Sequence, residues 1–440
     1  MINRVKHNRT RRLSKEAFWI SLGQLVTIAS SVVLIRTLTE FFGPAEYGQL
    51  VLGLTLVSLY GQVVFGGLGA GITRYYAVAA EKRDLHGYLA GIRTLLAYAT
   101  TIVVAIGLIL AFGISFLGHA QWTGVTLAAM LLALLGSYNS ILNGLQNAAR
   151  QRAIVAIHSG LEAWLKIGLA VVLLVLLGVS SVAVILGFAA SALIVTLSQL
   201  VILRRTIKPL PLGSPAPRPG DWPSKIWTYS WPFSTWGVFT WLQQVSDRWV
   251  LGLFGTPQDV GFYAVLFQLG YTPIAILLGF STTFLAPILF HRAGDASSSE
   301  RNQNVHQIVW RITITALIGT GLAVLTTSIF HEWIFGLLVA AEFRWISHLL
   351  PWLVLAGGIF AAAQMLSLKL MSEMKAQELI TPKIATAIMG IGLNMVGAAI
   401  AGVEGVVAAM VAFSTIYLAW IIVLAGKNDF LNTEQRGIKI

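Results

Sequence analysis

Cysteine is absent from this 440-residue sequence, so neither a disulfide bond nor a thiolate metal site is available to it. Charged residues are also scarce: they make up 11% of the chain, whereas hydrophobic residues make up 56%. A soluble protein of this length would have about a quarter of its residues charged. The scarcity of charge therefore excludes an ordinary soluble protein and indicates a membrane-embedded one.

Acidic residues are particularly few, with 18 Asp and Glu against 30 Lys and Arg, and the formal net charge is +12. Such a surplus can indicate nucleic-acid binding, but here the positive charge lies in short segments between apolar stretches, where membrane topology already requires it. We therefore expect anionic membrane lipids, and no nucleic acid, as partners. The sequence contains no metal-ligand or nucleotide-binding spacing, so no cofactor is expected.

Long apolar runs recur along the whole chain, each close to the roughly 20 residues that cross a bilayer as a helix. The expected spans are residues 17–38, 48–71, 92–117, 122–143, 154–177, 181–203, 229–254, 261–288, 308–330, 348–370, 380–401 and 404–425. The first span is too long for a signal peptide and lacks a following small-residue cleavage site, so we expect it to be retained. The pattern predicts an all-α polytopic membrane protein with twelve transmembrane helices.

Lysine and arginine fall on alternate sides of these spans. Of the 30 basic residues, all but four lie on one side or next to it; the exceptions are Arg344, in a loop on the other side, and Arg36, Lys166 and Arg248, inside spans. Because basic loops remain in the cytoplasm, we expect both termini to be cytoplasmic and the protein to lie in the cell inner (plasma) membrane.

Six of the thirteen prolines fall within residues 204–228, which predicts an extended cytoplasmic linker. The expected organisation is a basic arm (1–16), a six-helix lobe (17–203), the linker (204–228), a second six-helix lobe (229–425) and a tail (426–440). The segment 43–48 is weakly similar to the segment 258–263 when Tyr47 is aligned with Tyr263. Two six-span halves in the same orientation predict a pseudo-two-fold axis along the membrane normal.

Polar residues within spans usually face a cavity or a partner. The expected cavity-lining polar residues are Gln24, Asn139, Asn143, Glu162, Gln244 and Asp247. Glu162 and Lys166 share a helix face, so a simple internal pair remains an alternative. Asp247 and Arg248 are adjacent, so we expect them to point about 100° apart and not to neutralise each other.

Basic residues within the spans are at least as numerous as acidic ones, which favours an anionic substrate. The planar guanidinium group of arginine suits phosphate oxygens. The expected substrate-binding residues are Arg36, Arg74, Arg150, Lys166 and Arg248. Clustered glycines are expected to let helices approach closely; they are Gly66, Gly67, Gly69 and Gly71, and again Gly390, Gly392 and Gly397.

Several short motifs together resemble the Wzx-type polysaccharide (O-antigen) flippases. They are Arg36-Thr37-Leu38, Phe42-Gly43-Pro44-Ala45-Glu46-Tyr47-Gly48, Gly67-Leu68-Gly69, Thr73-Arg74-Tyr75, Leu145-Gln146-Asn147-Ala148-Ala149-Arg150, Tyr229-Ser230-Trp231-Pro232, Asp247-Arg248-Trp249-Val250-Leu251-Gly252 and Val260-Gly261-Phe262-Tyr263. Their order and spacing cover nearly the whole chain. The chain lacks the fourteen spans usual in the lipid II flippase branch of the same multidrug/oligosaccharidyl-lipid/polysaccharide exporter superfamily.

The resemblance implies two lobes that open alternately and an oligosaccharide substrate on a polyprenyl diphosphate lipid. It also implies polysaccharide polymerase or export machinery as partners. Two alternatives remain: a multidrug/cation antiporter of the same superfamily, which would need more intramembrane carboxylates, and a membrane glycosyltransferase or O-antigen ligase. An enzyme of that kind usually has a large periplasmic loop, and the longest such connection here, about 331–347, is short. We therefore expect a transporter and not an enzyme.

Overall fold

The computed structural model describes residues 2–206, 219–294 and 298–437, and within these ranges it contains helices and short connections but no strand. Its α-helices, named α1 to α12 in chain order, are Ile2–Phe41, Pro44–Tyr60, Gly67–Glu81, Leu85–Phe116, Thr123–Ala148, Arg152–Leu177, Ser181–Thr206, Trp222–Phe254, Pro257–Ala293, Ser299–Leu338, Leu350–Ser372 and Ile380–Gly437. A π-helical segment, Gly61–Gly66, joins α2 to α3. Short 3-10 helices occupy Ala120–Trp122, Ala341–Leu349 and Ala376–Leu379.

Local capping sets several helix ends. The Asp84 carboxylate accepts a hydrogen bond of 3.1 Å from the Gly87 amide at the start of α4. Thr256 and Asp259 form a reciprocal capping box at the start of α9. Such side chains satisfy amide groups that have no partner within the helix.

Ten helical segments in the described ranges are long and apolar enough to cross a membrane. Large apolar side chains along them are exposed, among them Phe112, Val175 and Ile318. An exposed apolar surface of this extent is compatible with lipid and not with water. The chain is therefore a multi-pass membrane protein that is helical throughout its described ranges, apart from short connections, as the sequence predicted.

The ten segments differ from the twelve spans expected, for two reasons. Helix α8 is not among the ten. The segment Gln377–Gly426 is counted as a single span, although its backbone is non-helical at Ala401 and Gly402. A Cβ added to Gly390 would lie 3.0 Å from the Phe413 ring, whereas a straight helix would separate these positions by about 35 Å. The chain therefore reverses within α12. Twelve spans in two six-helix lobes remain a prediction.

Contacts divide the chain into two compact units. Unit 1 comprises Met1–Phe42 and Gln49–Leu242. Its core includes the buried side chains of Ile72, Tyr88, Val103 and Trp222. The Tyr88 hydroxyl donates a hydrogen bond of 2.5 Å to the Ile72 carbonyl. These contacts connect α3, α4 and the start of α8 within one apolar core.

The start of α8 departs from the expected linker, residues 204–228. Helix α8 already begins at Trp222, and the Trp222 indole donates to the Asp84 carboxylate at 2.7 Å. Unit 1 accordingly extends to Leu242, whereas the sequence predicted that the second lobe would begin at residue 229. Residues 207–218 of the expected linker lie outside the described residues.

Unit 2 comprises Gly43–Gly48 and Gln243–Ile440. Buried side chains of α9, α10, α11 and α12 form its core; they include Leu289, Val309, Leu366, Tyr417 and Ile421.

The first turns of α2 and α9 pack against each other within unit 2. A Cβ added to Gly48 would lie 1.8 Å from the Pro257 carbonyl oxygen, and one added to Gly261 would lie 1.9 Å from the Pro44 carbonyl oxygen. Both turns have the pattern Pro-x-acid-x-Gly. The two similar segments are therefore better aligned by matching Gly48 with Gly261 than by matching Tyr47 with Tyr263.

Candidate functional site

Unit 1 contains a cavity of about 740 Å³ between the α2–π–α3 helix and α5. Residues of both helices line it: Val57, Gly61, Phe65, Gly66, Gly69, Ala70, Thr73 and Arg74 on one side, and Ala133, Gly136, Ser137, Ser140, Ile141 and Gly144 on the other. The π-helical segment forms part of the wall, and such segments inside α-helices often occur at functional sites. We call this space the unit 1 cavity.

Among the described residues, the side chains that line this cavity are apolar except for one cation and three hydroxyl groups. Arg74 is exposed, and its guanidinium group has no ion-pair or hydrogen-bond partner in the ranges that the structure describes. Thr73, Ser137 and Ser140 supply the hydroxyls. A single unpaired guanidinium group beside hydroxyls can bind an anionic group through charge-assisted hydrogen bonds.

The three cations predicted inside spans are each paired with an acid on their own helix. Arg36 forms an ion pair with Glu40 on α1. The Lys166 ammonium lies 2.8 Å from the Glu162 carboxylate on α6. These two pairs are local i,i+4 contacts, which the helix geometry favours.

The expectation that Asp247 and Arg248 would not neutralise each other is wrong. The Arg248 Nη1 atom lies 3.6 Å from the Asp247 Oδ1 atom and donates to the Gln244 carbonyl at 2.9 Å. The arginine side chain is long enough to fold back toward the preceding turn, which the angle between Cβ directions does not take into account. The Arg248 guanidinium also lies over the Phe267 ring, 4.4 Å from its centre, as a cation–π contact.

Asp247 is 3% exposed and connects this cluster. Besides the ion pair, its carboxylate accepts hydrogen bonds from the Tyr263 hydroxyl at 2.7 Å and from the Arg248 amide at 2.8 Å. A buried carboxylate is tolerated when it is paired and hydrogen-bonded in this way. We call Asp247, Arg248, Tyr263 and Phe267 the unit 2 cluster.

The predicted polar stripe of α5 makes contacts with α6 and α7. Asn139 donates to the Glu162 carboxylate, and Gln199 donates to Asn139 at 2.5 Å and to Asn143 at 3.0 Å. These contacts hold α5, α6 and α7 together. The residues that line the unit 1 cavity are on a different face of α5 from Asn139 and Asn143.

The remaining predicted site residues are exposed. Arg150 lies in the turn after α5, with a backbone φ of 60°, and its side chain has no ion-pair partner in the described ranges. Gln24 and Gln244 are exposed on α1 and α8. The predicted roles of these residues in binding or in lining a cavity remain predictions.

Sequence reasoning missed two features. The first is the small-residue face of α5, although Gly136, Ser140 and Gly144 recur at four-residue spacing and so share one helix face. The second is Lys369, one of the 26 basic residues that the sequence assigned to the cytoplasmic side or next to it. It is fully buried in α11, and its ammonium group donates to the Ala425 carbonyl at 2.7 Å.

The helices adopt a fold that is also found in solved membrane transporters. The chain aligns with a lipid II flippase, MurJ, in an inward closed conformation at a TM-score of 0.66 and 12% identity, covering 94% of this chain and 89% of that one. It aligns with an inward-facing multidrug resistance MATE transporter at a TM-score of 0.60 and 14% identity, covering 92% and 94%. A Vibrio cholerae MATE transporter gives a TM-score of 0.59 at 16% identity, covering 95% and 96%.

Residues 13–293 match the sequence profile of a family described as polysaccharide biosynthesis protein. The chain belongs to this family. The predicted resemblance is thereby confirmed at the level of the family, and the fold agrees with the expectation of a transporter. No curated protein matches the sequence significantly.

Proposed function

We propose that this protein flips a polyprenyl-diphosphate-linked oligosaccharide from the cytoplasmic to the outer leaflet of the cell inner (plasma) membrane by alternating access, with both termini in the cytoplasm. The product would supply a surface polysaccharide such as O-antigen or exopolysaccharide, and polymerase or export machinery would take it up. The polysaccharide family and a fold similar to that of a lipid II flippase support this proposal.

The observation that carries the proposal is Arg74 at the wall of the unit 1 cavity, whose guanidinium group has no partner among the described residues. A diphosphate that leaves water must exchange its hydration for protein donors, because an unpaired charge costs several kcal/mol in the bilayer. The guanidinium group of Arg74 can donate two parallel hydrogen bonds to phosphate oxygens. The hydroxyl of neighbouring Thr73 adds a further donor.

The ion pairs change the expected order of importance among the five predicted cations. Arg36, Lys166 and Arg248 each have an acid beside them, so binding an anion there would have to compete with a carboxylate. Arg74 and Arg150 have no such competitor in the described ranges. We therefore assign the first contact with the diphosphate to Arg74, with Arg150 as the second.

The antiporter alternative has less support. A coupling site for cations needs carboxylates that can release and take up their partners, and the buried Asp247 is held by Tyr263 and Arg248. Glu162 is likewise bonded to Asn139 and Lys166. Among the described residues, none that lines the unit 1 cavity is acidic, which suits an anion better than a cationic drug.

Deletion of the gene tests the substrate class directly: a lipid-linked glycan should accumulate on the cytoplasmic side, and its analysis identifies the carrier and the sugars. With purified protein in vesicles, Arg74→Ala should lower the flipping rate of a diphosphate-linked glycan by about tenfold or more, as expected for the loss of a charged hydrogen bond. Arg74→Lys should retain part of the rate. Arg93→Ala provides the matched control, because Arg93 is exposed but does not line the cavity. Unchanged flipping by Arg74→Ala would refute the assignment.

A further inference from the structure

Glycines in unit 1 fall into two groups that the sequence does not separate. A Cβ added to Gly67 would lie 2.3 Å from the Ser234 hydroxyl, and one added to Gly71 would lie 2.9 Å from the Ile226 carbonyl oxygen. These two glycines therefore let α3 pack closely against α8, as predicted.

Gly61, Gly69 and Gly136 belong to the second group. All three line the unit 1 cavity, and a Cβ added to any of them would meet no atom within 4 Å. Close helix packing does not explain glycine at these positions. Glycine also weakens a helix by about 1 kcal/mol relative to alanine, so these residues need another explanation, and the shared consequence of all three is a wider cavity.

Ser137 is an independent indication that a polar ligand enters this space. Its side chain lines the cavity and the residue is 6% exposed, yet its hydroxyl has no hydrogen-bond partner within the part of the chain that the structure describes. Because this hydroxyl oxygen is open to the cavity, a ligand or water that enters the space can form a hydrogen bond with it. Thr73 and Ser140 add two more hydroxyls to the same wall.

We infer that the unit 1 cavity holds the sugar residues next to the diphosphate, and that Gly61, Gly69 and Gly136 determine how large a glycan it admits. The inference rests on the proposed function. A volume of about 740 Å³ lies within the range of pockets that hold a small molecule, which suits a few sugar rings. Sugars present both hydroxyl groups and apolar C–H faces, and the wall offers hydroxyls beside apolar side chains such as Val57 and Phe65.

Valine at the cavity glycines tests the inference. Purified protein in vesicles is given two probes, a polyprenyl diphosphate with one hexose and one with five, and outward movement is measured as accessibility to a membrane-impermeant exoglycosidase. Gly69→Val and Gly136→Val should flip the five-hexose probe about tenfold more slowly, as steric changes in a pocket do, while the one-hexose probe stays within about twofold of wild type. Gly168→Val is the matched control, because Gly168 on α6 is equally open but lies outside the cavity.

The outcomes separate the inference from the proposed function. If wild type moves neither probe, the proposed function fails, and the assignment of sugars to the cavity fails with it. If wild type moves both and the two valine variants do the same, only the glycine inference is overturned. Thermal unfolding shows whether each variant is folded; should the valine variants not fold, Gly69→Ala and Ser137→Ala replace them. Those substitutions should slow the five-hexose probe more than the one-hexose probe, and equal effects on both probes would overturn the inference.

Discussion

Asp247→Ala removes the acceptor on which the unit 2 cluster depends. The substitution deprives the Tyr263 hydroxyl and the Arg248 amide of their partner and leaves the Arg248 guanidinium without its acid. Because Asp247 is 3% exposed, water cannot easily replace these contacts. Breaking a buried ion pair by removing one partner costs about 3–5 kcal/mol. We expect Asp247→Ala to lower the free energy of unfolding by an amount in that range.

Tyr263→Phe isolates one contact in the same cluster. It removes a single hydrogen bond to a charged group, which should lower the free energy of unfolding by about 1.5–3 kcal/mol. In Asp247→Ala that bond is already lost, so Tyr263→Phe should then have little further effect. The double-mutant cycle should therefore give a coupling energy of about 1.5–3 kcal/mol between the two side chains.

Unfolding of the purified protein in detergent measures these values, followed by tryptophan fluorescence, for which the chain has 14 tryptophans. Asp221→Ala is the control: Asp221 is exposed and its carboxylate pairs with Lys225 in the described part of the chain, so the substitution should change the free energy of unfolding by less than about 0.5 kcal/mol. If the effects of Asp247→Ala and Tyr263→Phe are additive, the two side chains do not interact in the folded protein, and the unit 2 cluster is refuted.

Three further predictions concern Gly48, Lys369 and the orientation of the chain in the membrane. Gly48→Ala would place a Cβ 1.8 Å from the Pro257 carbonyl oxygen and should reduce the yield of folded protein sharply, by a loss of at least about 3 kcal/mol; a normal yield in size-exclusion chromatography would contradict the contact. Lys369→Met leaves the Ala425 carbonyl without its donor and removes the ammonium group 3.9 Å from the buried Glu373 carboxylate. It should lower the thermal midpoint through a loss of at least about 1–3 kcal/mol, whereas an unchanged midpoint would show that the buried ammonium contributes nothing. In this cysteine-free chain, a single cysteine at the exposed position of His119 should react with a membrane-impermeant thiol reagent in intact cells, and one at Glu81 should not; the reverse result would invert the proposed orientation.

The structure also changes how the orientation is best tested. Ser347 lies in the connection of about 331–347, which the sequence places outside the cytoplasm, but it is 3% exposed and its hydroxyl lies 2.9 Å from the His331 ring. A cysteine there would react slowly for reasons of burial and not of topology. The exposed neighbour Arg344 is the better position in that connection.

The features that sequence alone could predict are those that depend on neighbours along the chain. Apolar runs of helical length identify membrane helices because lipid requires every backbone group to bond within its own segment. The Glu162–Lys166 pair was foreseeable for the same reason, since a helix always brings residues four apart to the same face. The break between the last two expected spans falls at Ala401 and Gly402, next to the predicted boundary.

What sequence alone could not determine depends on which helices become neighbours. The Asn139–Glu162 and Asn139–Gln199 contacts join three helices, so a polar stripe predicted on one helix did not reveal its partners. The first turn of α8 likewise belongs to unit 1, where the Trp222 indole bonds the Asp84 carboxylate of a distant segment. Helical periodicity shows which face of a helix is polar but not what that face contacts.

The two groups of glycines show the same limit most directly. Gly67 and Gly69 are two residues apart in a single motif, and the sequence predicted one role for both. The helix turns by about 200° over two residues, so Gly67 packs against α8 while Gly69 lines open space beside α5. Sequence alone determined that this is a helical membrane protein with few intramembrane charges. Only the packing of the helices decided which glycines allow close helix contact and which leave room for a ligand. Glycine has no side chain, so its role depends on what lies beside it in the folded protein.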